Sequence, residues 1–428
     1  MKIFILVAFI LTYVCIIAFT KYKAIIAGVS ALVMAVACLI SQNATFMDLL
    51  SSIDFNVLLM LFGIMLTVGV FTDSNMPLKL ADKLISKIPN AMIAITILAL
   101  LSGIVSAFID NVATVLMLAP IGLAVSKKIN TSPIPVIIAI AVSSNLQGAA
   151  TLVGDTTSIM LGEFANMSFI DFFVLDGKLS IFFAVEIGAL LTVPIILFIF
   201  GKDNKKFLYE QDDIKVKSVV PTILLLLTIL LLIVFSFVPN KIDLTNGIIC
   251  MTFGIISVVF HMIKYKVKSL KEYKEYIDIE SLIFLFSLFI IICAVERVGI
   301  IQDIANLFIK IGNQNVFLLY TLIVFASVVI SAFIDNIPYV ATMLPVISAL
   351  SMGLPGVSPY LLYFGLLCGA TLGGNITPVG ASANIVGIGI LKKEGYNVKT
   401  SDFLKIGIPF TLVAVLGGYL FTWLVWGI

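Results

Sequence analysis

Long apolar blocks separated by short polar loops dominate the sequence. The blocks run for about 18–24 residues, enough for a helix that rises 1.5 Å per residue to cross about 30 Å of hydrocarbon. No block alternates with a period of two over about ten residues, the pattern of a transmembrane β-barrel strand. The pattern therefore predicts an all-α integral membrane protein that crosses the bilayer several times.

The predicted elements follow the same order in two halves of the chain. The full spans predicted for the first half are 3–20, 24–41, 55–72, 134–165 and 179–200. The full spans predicted for the second half are 219–238, 245–263, 280–298, 359–391 and 404–427. Polar residues interrupt the fourth span of each half, so both are predicted to be broken helices. Before its broken helix, each half has an amphipathic stretch (76–88 or 300–312) and then a re-entrant helical hairpin (91–126 or 316–350).

The duplication is also visible in the letters. The string SAFIDN occurs at 106–111 and again at 331–336, at the turn of each predicted hairpin. Both broken spans carry Ala-Thr-Leu-x-Gly, at 150–154 and 370–374. Internal repeats are common in secondary transporters. We predict a first repeat at 1–200, a cytoplasmic linker at 201–217 and a second repeat at 218–428.

Composition and charge place these spans in a membrane with a definite orientation. Hydrophobic residues make up 61% of the chain and charged residues 12%, against roughly 25% charged in soluble proteins. If the N-terminus lies outside, 21 of the 26 Lys and Arg fall in cytoplasmic segments, as the positive-inside rule requires. This predicts a multi-pass protein of the cell (plasma) membrane with both termini outside. An odd number of crossings per half makes the two halves inverted-topology repeats.

Each hairpin could instead be two full crossings, which would leave this inversion unchanged. Residues 112–126 would form about 22 Å of helix, which is short of a full span. The turn at Asp110-Asn111 also carries no lysine. Both observations favour re-entry, with the first tip entering from the cytoplasm and the second, at Asp335-Asn336, entering from outside.

The two hairpin tips and the two helix interruptions are the candidate functional site. Irregular backbone at membrane depth is costly unless it faces protein or water, and transporters use such breaks to hold ions. Inverted repeats would bring the four breaks together near the midplane. The candidate ion- or substrate-binding residues of the first half are Ser106, Asp110, Asn111, Thr114, Thr151, Gly154, Asp155, Thr156 and Thr157. Those of the second half are Ser331, Asp335, Asn336, Thr371, Gly374, Asn375, Thr377, Ser382 and Asn384.

The chemistry of these side chains indicates a cation site. Hydroxyl, amide and carboxylate oxygens suit a hard cation, so a sodium ion is predicted at Asp110, Asn111, Asp155, Asp335, Asn336 and Asn375. The alternative for Asp110 and Asp335 is a turn residue at the membrane surface, and for Asp155 a helix N-cap. The breaks contain no Lys or Arg. An anion would therefore need sodium or protons bound beside it, or helix dipoles.

Other polar residues carry weaker hypotheses. Glu163 and Glu186 fit a span end or a polar helix face about as well as a site. Glu296 and Arg297 are interpreted as a local interfacial pair, and His261, the single histidine, as a snorkelling interfacial residue. No Walker A, nucleophile-elbow or zinc motif occurs. We therefore expect neither an enzyme nor a primary pump, and no cofactor beyond sodium ions or protons as coupling ions.

The motifs resemble those of a known family. SAFIDN followed by an apolar arm that ends in proline, and then GGNITPVGASAN, resembles the arsenite-efflux and sodium–proton antiporter (ArsB/NhaD) family of the ion transporter superfamily, which is related to the divalent anion/sodium symporters. The resemblance implies inverted repeats, a rigid scaffold, a mobile hairpin-bearing unit, elevator-type motion and a homodimer. The family's hairpin-tip residues map onto Ser106, Asp110, Asn111, Ser331, Asp335 and Asn336. The chain departs from the family's Gly-Asp-Pro-Pro-Asn, having Thr156, Thr157 and Ser158 after Gly154 and Asp155.

These observations predict a secondary active ion transporter. Cation/proton antiport is the first hypothesis, because the breaks hold carboxylates without a fixed cation. Sodium- or proton-coupled transport of an anion, such as arsenite, citrate or a dicarboxylate, is the second. A passive channel or a non-transporting membrane receptor is the alternative from a different class of protein. The expected partners are a small inorganic ion or small carboxylate, the lipid bilayer and a second copy of the chain, with no nucleic acid.

Overall fold

The computed structural model describes residues 1–206, 214–313, 315–354 and 357–427. The helices of the first half are α1 (Lys2–Ala18), α2 (Lys23–Ile40), α3 (Phe46–Ser51), α4 (Phe55–Asp73), α5 (Met76–Ile85), α6 (Ala91–Ser106), α7 (Asn111–Lys128), α8 (Pro133–Gln147), α9 (Thr156–Phe164) and α10 (Ile181–Ile199). Short 3₁₀ helices lie at Thr20–Tyr22, Ile170–Phe172 and Gly201–Asp203. Two short strands, β1 (Val174–Leu175) and β2 (Lys178–Leu179), pair antiparallel between α9 and α10.

The second half has a matching order of helices. They are α11 (Val220–Ser236), α12 (Thr245–Tyr265), α13 (Ile279–Arg297), α14 (Ile300–Gly312), α15 (Val316–Ser331), α16 (Asn336–Met352), α17 (Pro359–Gly373), α18 (Ser382–Lys393) and α19 (Thr400–Trp426). A 3₁₀ helix, Leu270–Tyr276, precedes α13. The described chain is therefore mostly helical, as the apolar blocks predict.

Matching cap residues start matching helices in the two halves. Asp54 and Asp278 begin α4 and α13, and each accepts a hydrogen bond from the backbone amide three residues further on. Asn90 and Asn315 begin α6 and α15 in the same way. Such caps satisfy the amides that the first turn of a helix leaves without a partner. The polar letters between apolar blocks thus set where the helices begin.

Six helical segments among the described residues are long and apolar enough to cross a bilayer: Thr20–Ile40, Phe46–Asp73, Ile181–Ile199, Thr245–Tyr265, Ile279–Arg297 and Thr400–Trp426. Each contains or closely matches a predicted span. The predicted spans 3–20 and 219–238 are the apolar helices α1 and α11, of 17 residues each. The predicted interruptions separate α8 from α9 and α17 from α18.

Several predicted boundaries were wrong, the largest error being that of α19, which begins at Thr400 and not at residue 404. Helix α7 has 18 residues, three more than the predicted arm 112–126, because Asp110 caps its first turn and the helix continues to Lys128. At about 27 Å, α7 is nearly as long as the hydrocarbon is thick, so its length is no argument for re-entry. The amphipathic helix α5 ends at Ile85, three residues before the predicted end.

Small residues bring the helices of the two halves into close contact. A Cβ atom placed on Gly63 of α4 would lie 2.2 Å from the carbonyl carbon of Cys250 in α12. A Cβ atom on Gly188 of α10 would lie 2.8 Å from the carbonyl oxygen of Ala414 in α19. Small residues allow this approach of helix backbones in membranes. The second span of each half packs on the third span of the other half: α2 packs on α13, and α12 packs on α4.

The ends of the predicted linker 201–217 lie against the first half. Residues 207–213 of this segment are outside the described residues. Before them, Lys205 Nζ donates to the Ile129 carbonyl at 2.9 Å. After them, the Lys217 amide donates to the Ser74 carbonyl at 3.0 Å. Both ends therefore contact the C-terminal ends of first-half helices.

Candidate functional site

Three carboxylates cap helices at the chain breaks. Asp110 begins α7 and accepts hydrogen bonds from the amides of Val112 and Ala113 at 3.0 and 3.1 Å. Asp155 begins α9 and accepts from its neighbour's amide at 2.7 Å. Asp335 begins α16 and accepts from an amide two residues on, at 3.4 Å. The N-cap expected as the alternative for Asp155 is present, and the tip residues are caps as well. Each helix directs its amides and the positive end of its dipole towards its carboxylate.

An amide network joins the first hairpin tip to the second half. Asn111 Nδ2 donates to Asn145 Oδ1 at 3.0 Å. Asn145 Nδ2 donates to the Thr371 carbonyl at 2.8 Å and to Asn375 Oδ1 at 3.0 Å. Asn375 Nδ2 in turn donates to the Val142 carbonyl at 3.0 Å. Asn145 is fully buried. Three elements that are far apart in sequence thus meet at one side chain that the sequence reasoning missed.

The second hairpin tip contacts the broken helix of the first half. Asn336 Nδ2 donates to Asp155 Oδ2 at 3.2 Å, and Thr157 Oγ1 donates to the same oxygen at 3.1 Å. The Thr157 and Thr371 hydroxyls lie 3.3 Å apart. At the first tip, the Asn111 side chain therefore contacts another amide, that of Asn145. At the second tip, the Asn336 side chain contacts a carboxylate, that of Asp155.

The hydrogen bonds correct the alignment of the two broken helices. Thr151 Oγ1 donates to the Ala107 carbonyl at the end of α6, and Thr377 Oγ1 donates to the Ala332 carbonyl at the end of α15. Thr377 is therefore the structural counterpart of Thr151. The shared Ala-Thr-Leu-x-Gly string pairs Thr151 with Thr371 instead, and this register was wrong.

A second pair of contacts gives the same alignment. Ser158 Oγ donates to the Gly148 carbonyl at 3.0 Å, and Asn384 Nδ2 donates to the Gly374 carbonyl at 2.9 Å. Asn384 follows Ser158 in the chain by the same spacing that separates Thr377 from Thr151. With this spacing the counterpart of Asp155 is Ala381, the N-cap position of α18. The third carboxylate is therefore peculiar to the first half.

A cavity of about 480 Å³ lies between this cluster and helices α4 and α13. The candidate residues that line it are Asp110, Asn111, Gly154, Asp155, Thr156, Asp335, Asn336 and Ser382. The remaining candidates are buried outside its lining: Ser106, Thr114, Thr151, Thr157, Ser331, Thr371, Gly374, Asn375, Thr377 and Asn384. The facing wall is formed by α4 between Leu61 and Asp73 and by residues 275–281. A ligand in the cavity would therefore touch both halves.

The facing wall is polar at one end. Tyr276 and Asp278 line the cavity there, beside the lysine-rich segment 264–274. Burial, together with the neighbouring Asp73 carboxylate, raises the pKa of Tyr276 to about 12. The phenol therefore keeps its proton at neutral pH.

The expectation that the site has no fixed cation was wrong. Lys23 Nζ lies 2.7 Å from Asp335 Oδ2, and each side chain is only 17% exposed. The same ammonium lies 5.5 Å from the centre of the Phe284 ring. Lys23 is the first residue of α2 and reads in sequence as one of several cytoplasmic lysines. Only packing brings it to the hairpin tip, 312 residues away in the chain.

His261 is not a snorkelling residue. It is 8% exposed, and its Nε2 lies 3.0 Å from Asp73 Oδ2 while its Nδ1 lies 2.9 Å from the Tyr273 hydroxyl. The other oxygen of Asp73 pairs with Lys217 at 2.7 Å. Asp73 also lines the cavity, so this cluster ties the cavity wall to the end of the linker before α11 and to the segment after α12.

The weaker candidates also find specific places. Arg297 pairs with Asp48 at 2.7 Å, so the proposed local pair with Glu296 was wrong. Glu163 accepts a hydrogen bond from Asn56 Nδ2 at 2.6 Å and does not line the 480 Å³ cavity. Within the described residues, no three His, Cys, Asp or Glu side chains are grouped so that they could hold a metal ion. The predicted sodium site, which relies on amides as well, stays a prediction.

The hairpin tips and the broken helices meet at a cavity within a bundle of apolar helices. This arrangement is that of a multi-pass membrane transporter. The chain belongs to the citrate transporter (CitMHS) family of the ion transporter superfamily, since residues 13–369 match the model of that family. The narrower resemblance to the ArsB/NhaD family stays a prediction.

Individual relatives agree with this class. The chain is 29% identical over 432 residues to a 46 kDa membrane protein of Mycobacterium leprae, covering 99% of each. It is 27% identical over 439 residues to an uncharacterized transporter of Mycobacterium tuberculosis, again covering 99% of each. Its fold is similar to the crystal structure of the Alcanivorax borkumensis YdaH transporter, with a TM-score of 0.61, 15% identity, and coverage of 89% of this chain and 88% of the other.

Proposed function

We propose that the protein is a secondary active transporter that carries a small carboxylate such as citrate together with sodium ions or protons. The observation that carries this proposal is the cavity of about 480 Å³ into which both hairpin tips and the first broken helix project. Its volume falls within the usual range for small-molecule sites, about 300–1,000 Å³. The family's description as citrate transporters supports the substrate class.

The charges at the site explain why a carboxylate would need accompanying cations. Asp110, Asp155 and Asp335 line the cavity, and Lys23 neutralises only the last of them. A bare anion would meet uncompensated negative charge in a place of low dielectric constant. Cations or protons bound at Asp110 and Asp155 would remove this repulsion. The Asn111 and Asn336 amide groups each use one N–H in the hydrogen bonds described above. The second N–H of each group would then hold the carboxylate groups.

We infer that the two halves are inverted-topology repeats and that transport is of the elevator type. The repeated helix order, the repeated caps and the equally spaced pairs of hydrogen bonds at the breaks support the repeats. A second cavity, of about 210 Å³, lies at the opposite ends of α4 and α13 and is lined by Asp54, Phe289 and Glu296 among others. In this proposal the hairpin-bearing unit moves along α4 and α13 between these two ends, in a homodimer of the plasma membrane. The larger cavity, beside the lysine-rich segment, then faces the cytoplasm.

Cation/proton antiport is the second candidate. The observation that favours it is that the three site carboxylates outnumber the single ammonium of Lys23. In this case the cavity would bind sodium ions and protons in turn, without a carboxylate substrate.

Both candidates can be tested with purified protein in liposomes. Radiolabelled citrate uptake is measured with an imposed sodium or proton gradient, with and without Mg²⁺ because citrate chelates divalent cations, while an internal dye reports pH. We expect citrate uptake that depends on the gradient. Proton movement driven by sodium or lithium alone, without citrate uptake, would instead establish the antiport candidate.

Two variants locate the site. Asp110→Asn should lower coupled transport by about tenfold or more, since a contact with a charged group contributes about 1.5–3 kcal/mol. Asp303→Asn is the matched control, because Asp303 pairs with Lys2 at the surface and is 60% exposed. Full transport by Asp110→Asn would exclude the proposed site.

A further inference from the structure

The two hairpin tips have the same letters but different charge environments. At the second tip, Asp335 is paired with Lys23 at 2.7 Å in a largely buried contact. At the first tip, the carboxylate of Asp110 accepts backbone hydrogen bonds only from the start of its own helix. No Lys, Arg or His of the described chain forms an ion pair with Asp110. One tip is thus neutralised by the protein itself, and the other is not.

The corresponding helix of the other half shows whether Lys23 has a counterpart beside Asp110. Helix α2 packs on α13 as α12 packs on α4, so the start of α12 corresponds to the start of α2. The first turn of α12 reads Thr-Asn-Gly-Ile-Ile, from Thr245 to Ile249. It contains neither Lys nor Arg. Lys23 therefore has no counterpart in the second half.

Helix stability does not account for this lysine. Lys23 is the first residue of α2, where the positive end of the helix dipole disfavours a cation. Its side chain is also only 17% exposed, and its ammonium contacts Asp335 rather than extending into solvent. A lysine in this position gains its favourable electrostatic interaction from Asp335, on the hairpin of the other half.

We propose that Lys23 is a resident cation that occupies, at Asp335, the position that a mobile coupling cation takes at Asp110. The inference rests on the proposed function of this site as a cation-coupled transporter. It implies that the tips require one mobile cation per transport cycle rather than two. It also implies that removal of the Lys23 ammonium opens a second cation site at Asp335.

The inference can be tested by changing Lys23→Met, which keeps an unbranched side chain out to Cε and removes the ammonium group. Citrate uptake into liposomes is measured against sodium concentration at constant ionic strength, and against pH at constant sodium, so that the two coupling ions are distinguished. We expect the Hill coefficient for the coupling ion to rise by up to about 1, because the removal of Lys23 adds one cation site and the number of sites sets the upper limit of the coefficient. Lys23→Gln serves as a second variant if Lys23→Met does not elute as a folded protein from size-exclusion chromatography.

Cation binding can be followed without transport. The thermal midpoint of the purified protein is titrated with sodium chloride against the chloride salt of N-methylglucamine, or with pH, since a bound cation stabilises the folded state. We expect Lys23→Met to gain an additional cation-dependent rise in midpoint, and the double variant Lys23→Met with Asp335→Asn to lose that gain.

Lys21→Met is the matched control. It removes the same charge two residues earlier, where the ammonium lies 5.9 Å from the ring of Tyr22 and forms no ion pair with a hairpin tip. Its Hill coefficient and thermal response should equal those of the unmodified protein.

The outcomes separate this inference from the proposed function. If the unmodified protein takes up citrate but Lys23→Met keeps the same Hill coefficient and gains no Asp335-dependent response to cations, the resident-cation assignment is wrong. If the unmodified protein transports neither citrate nor cations, the proposed function fails. The thermal titration then still decides whether the removal of Lys23 creates a cation site.

Discussion

Asn145 is the residue whose truncation should reveal most about the centre of the site. Its side chain is fully buried on α8, and it makes three hydrogen bonds, to Asn111, to Asn375 and to the Thr371 carbonyl. The substitution Asn145→Ala removes a donor and an acceptor at once. It leaves the Asn111 amide group without its acceptor and the Asn375 oxygen without its donor.

The size of the effect follows from these lost contacts. A buried polar group left without a partner costs about 1–3 kcal/mol. Partial rearrangement or entry of water into the space left by the side chain would offset part of this cost. We therefore expect Asn145→Ala to destabilise the protein by about 2–4 kcal/mol.

The neighbouring Ser143 provides a matched control. It is 5% exposed on the same helix, and its Oγ is buried without a hydrogen-bond partner in the described structure. Ser143→Ala therefore breaks no hydrogen bond of the described residues and should be neutral within about 0.5 kcal/mol. The comparison separates loss of the network from the general effect of truncation on a buried helix.

Thermal stability in detergent, followed by fluorescence-detection size-exclusion chromatography, measures both variants. Initial uptake rates into liposomes show whether the network also positions the first hairpin tip. The double variant Asn145→Ala with Asn375→Ala should cost less than the sum of the single variants, by about 1 kcal/mol, because the two side chains share a hydrogen bond. An Asn145→Ala variant as stable as Ser143→Ala would refute the role of this network.

Two further predictions concern the scaffold and the cavity wall. Gly63→Ala should destabilise the protein by about 1–3 kcal/mol or more, because the new Cβ would lie 2.2 Å from the backbone of Cys250. Gly389→Ala is the control: an added Cβ on this residue of α18 would have no atom within 4 Å, so the change should be neutral or stabilise the protein by up to about 1 kcal/mol. Equal thermal midpoints for the two variants would contradict the close contact between α4 and α12. Because the pKa of Tyr276 is raised to about 12 in the folded protein, unfolded chains lose this proton first. The stability contributed by the neutral phenol is therefore present below about pH 10 and is lost as pH rises towards about 12. Thermal midpoints measured from pH 8 to pH 11 should fall less steeply for Tyr276→Phe than for the unmodified protein, and identical slopes would refute this.

Identical residues in the two halves align some parts of the repeat correctly and others incorrectly. The SAFIDN strings mark corresponding hairpin tips correctly, because each tip needs a small residue, a capping carboxylate and an amide at fixed spacing. The shared Ala-Thr-Leu-x-Gly string misaligns the helix breaks, since it pairs Thr151 with Thr371. Irregular backbone at a break is held by specific hydrogen bonds rather than by a periodic pattern, so the Thr151 and Thr377 hydroxyls, and not identical letters, define the correspondence.

The sequence by itself determined the helices, their breaks and the class of protein. Hydrophobic length, the cap residues and the charges of the loops are local properties that act within one or two helical turns or at a membrane surface. Only the tertiary structure decided how the breaks meet. The Lys23–Asp335 pair joins residues 312 positions apart, and the contact from Asn145 to Asn375 spans 230. Such contacts depend on which helix faces pack together, and neither hydropathy nor repeated letters records that choice. The neutralisation of Asp335 by Lys23, and with it the charge balance of the site, therefore came from packing.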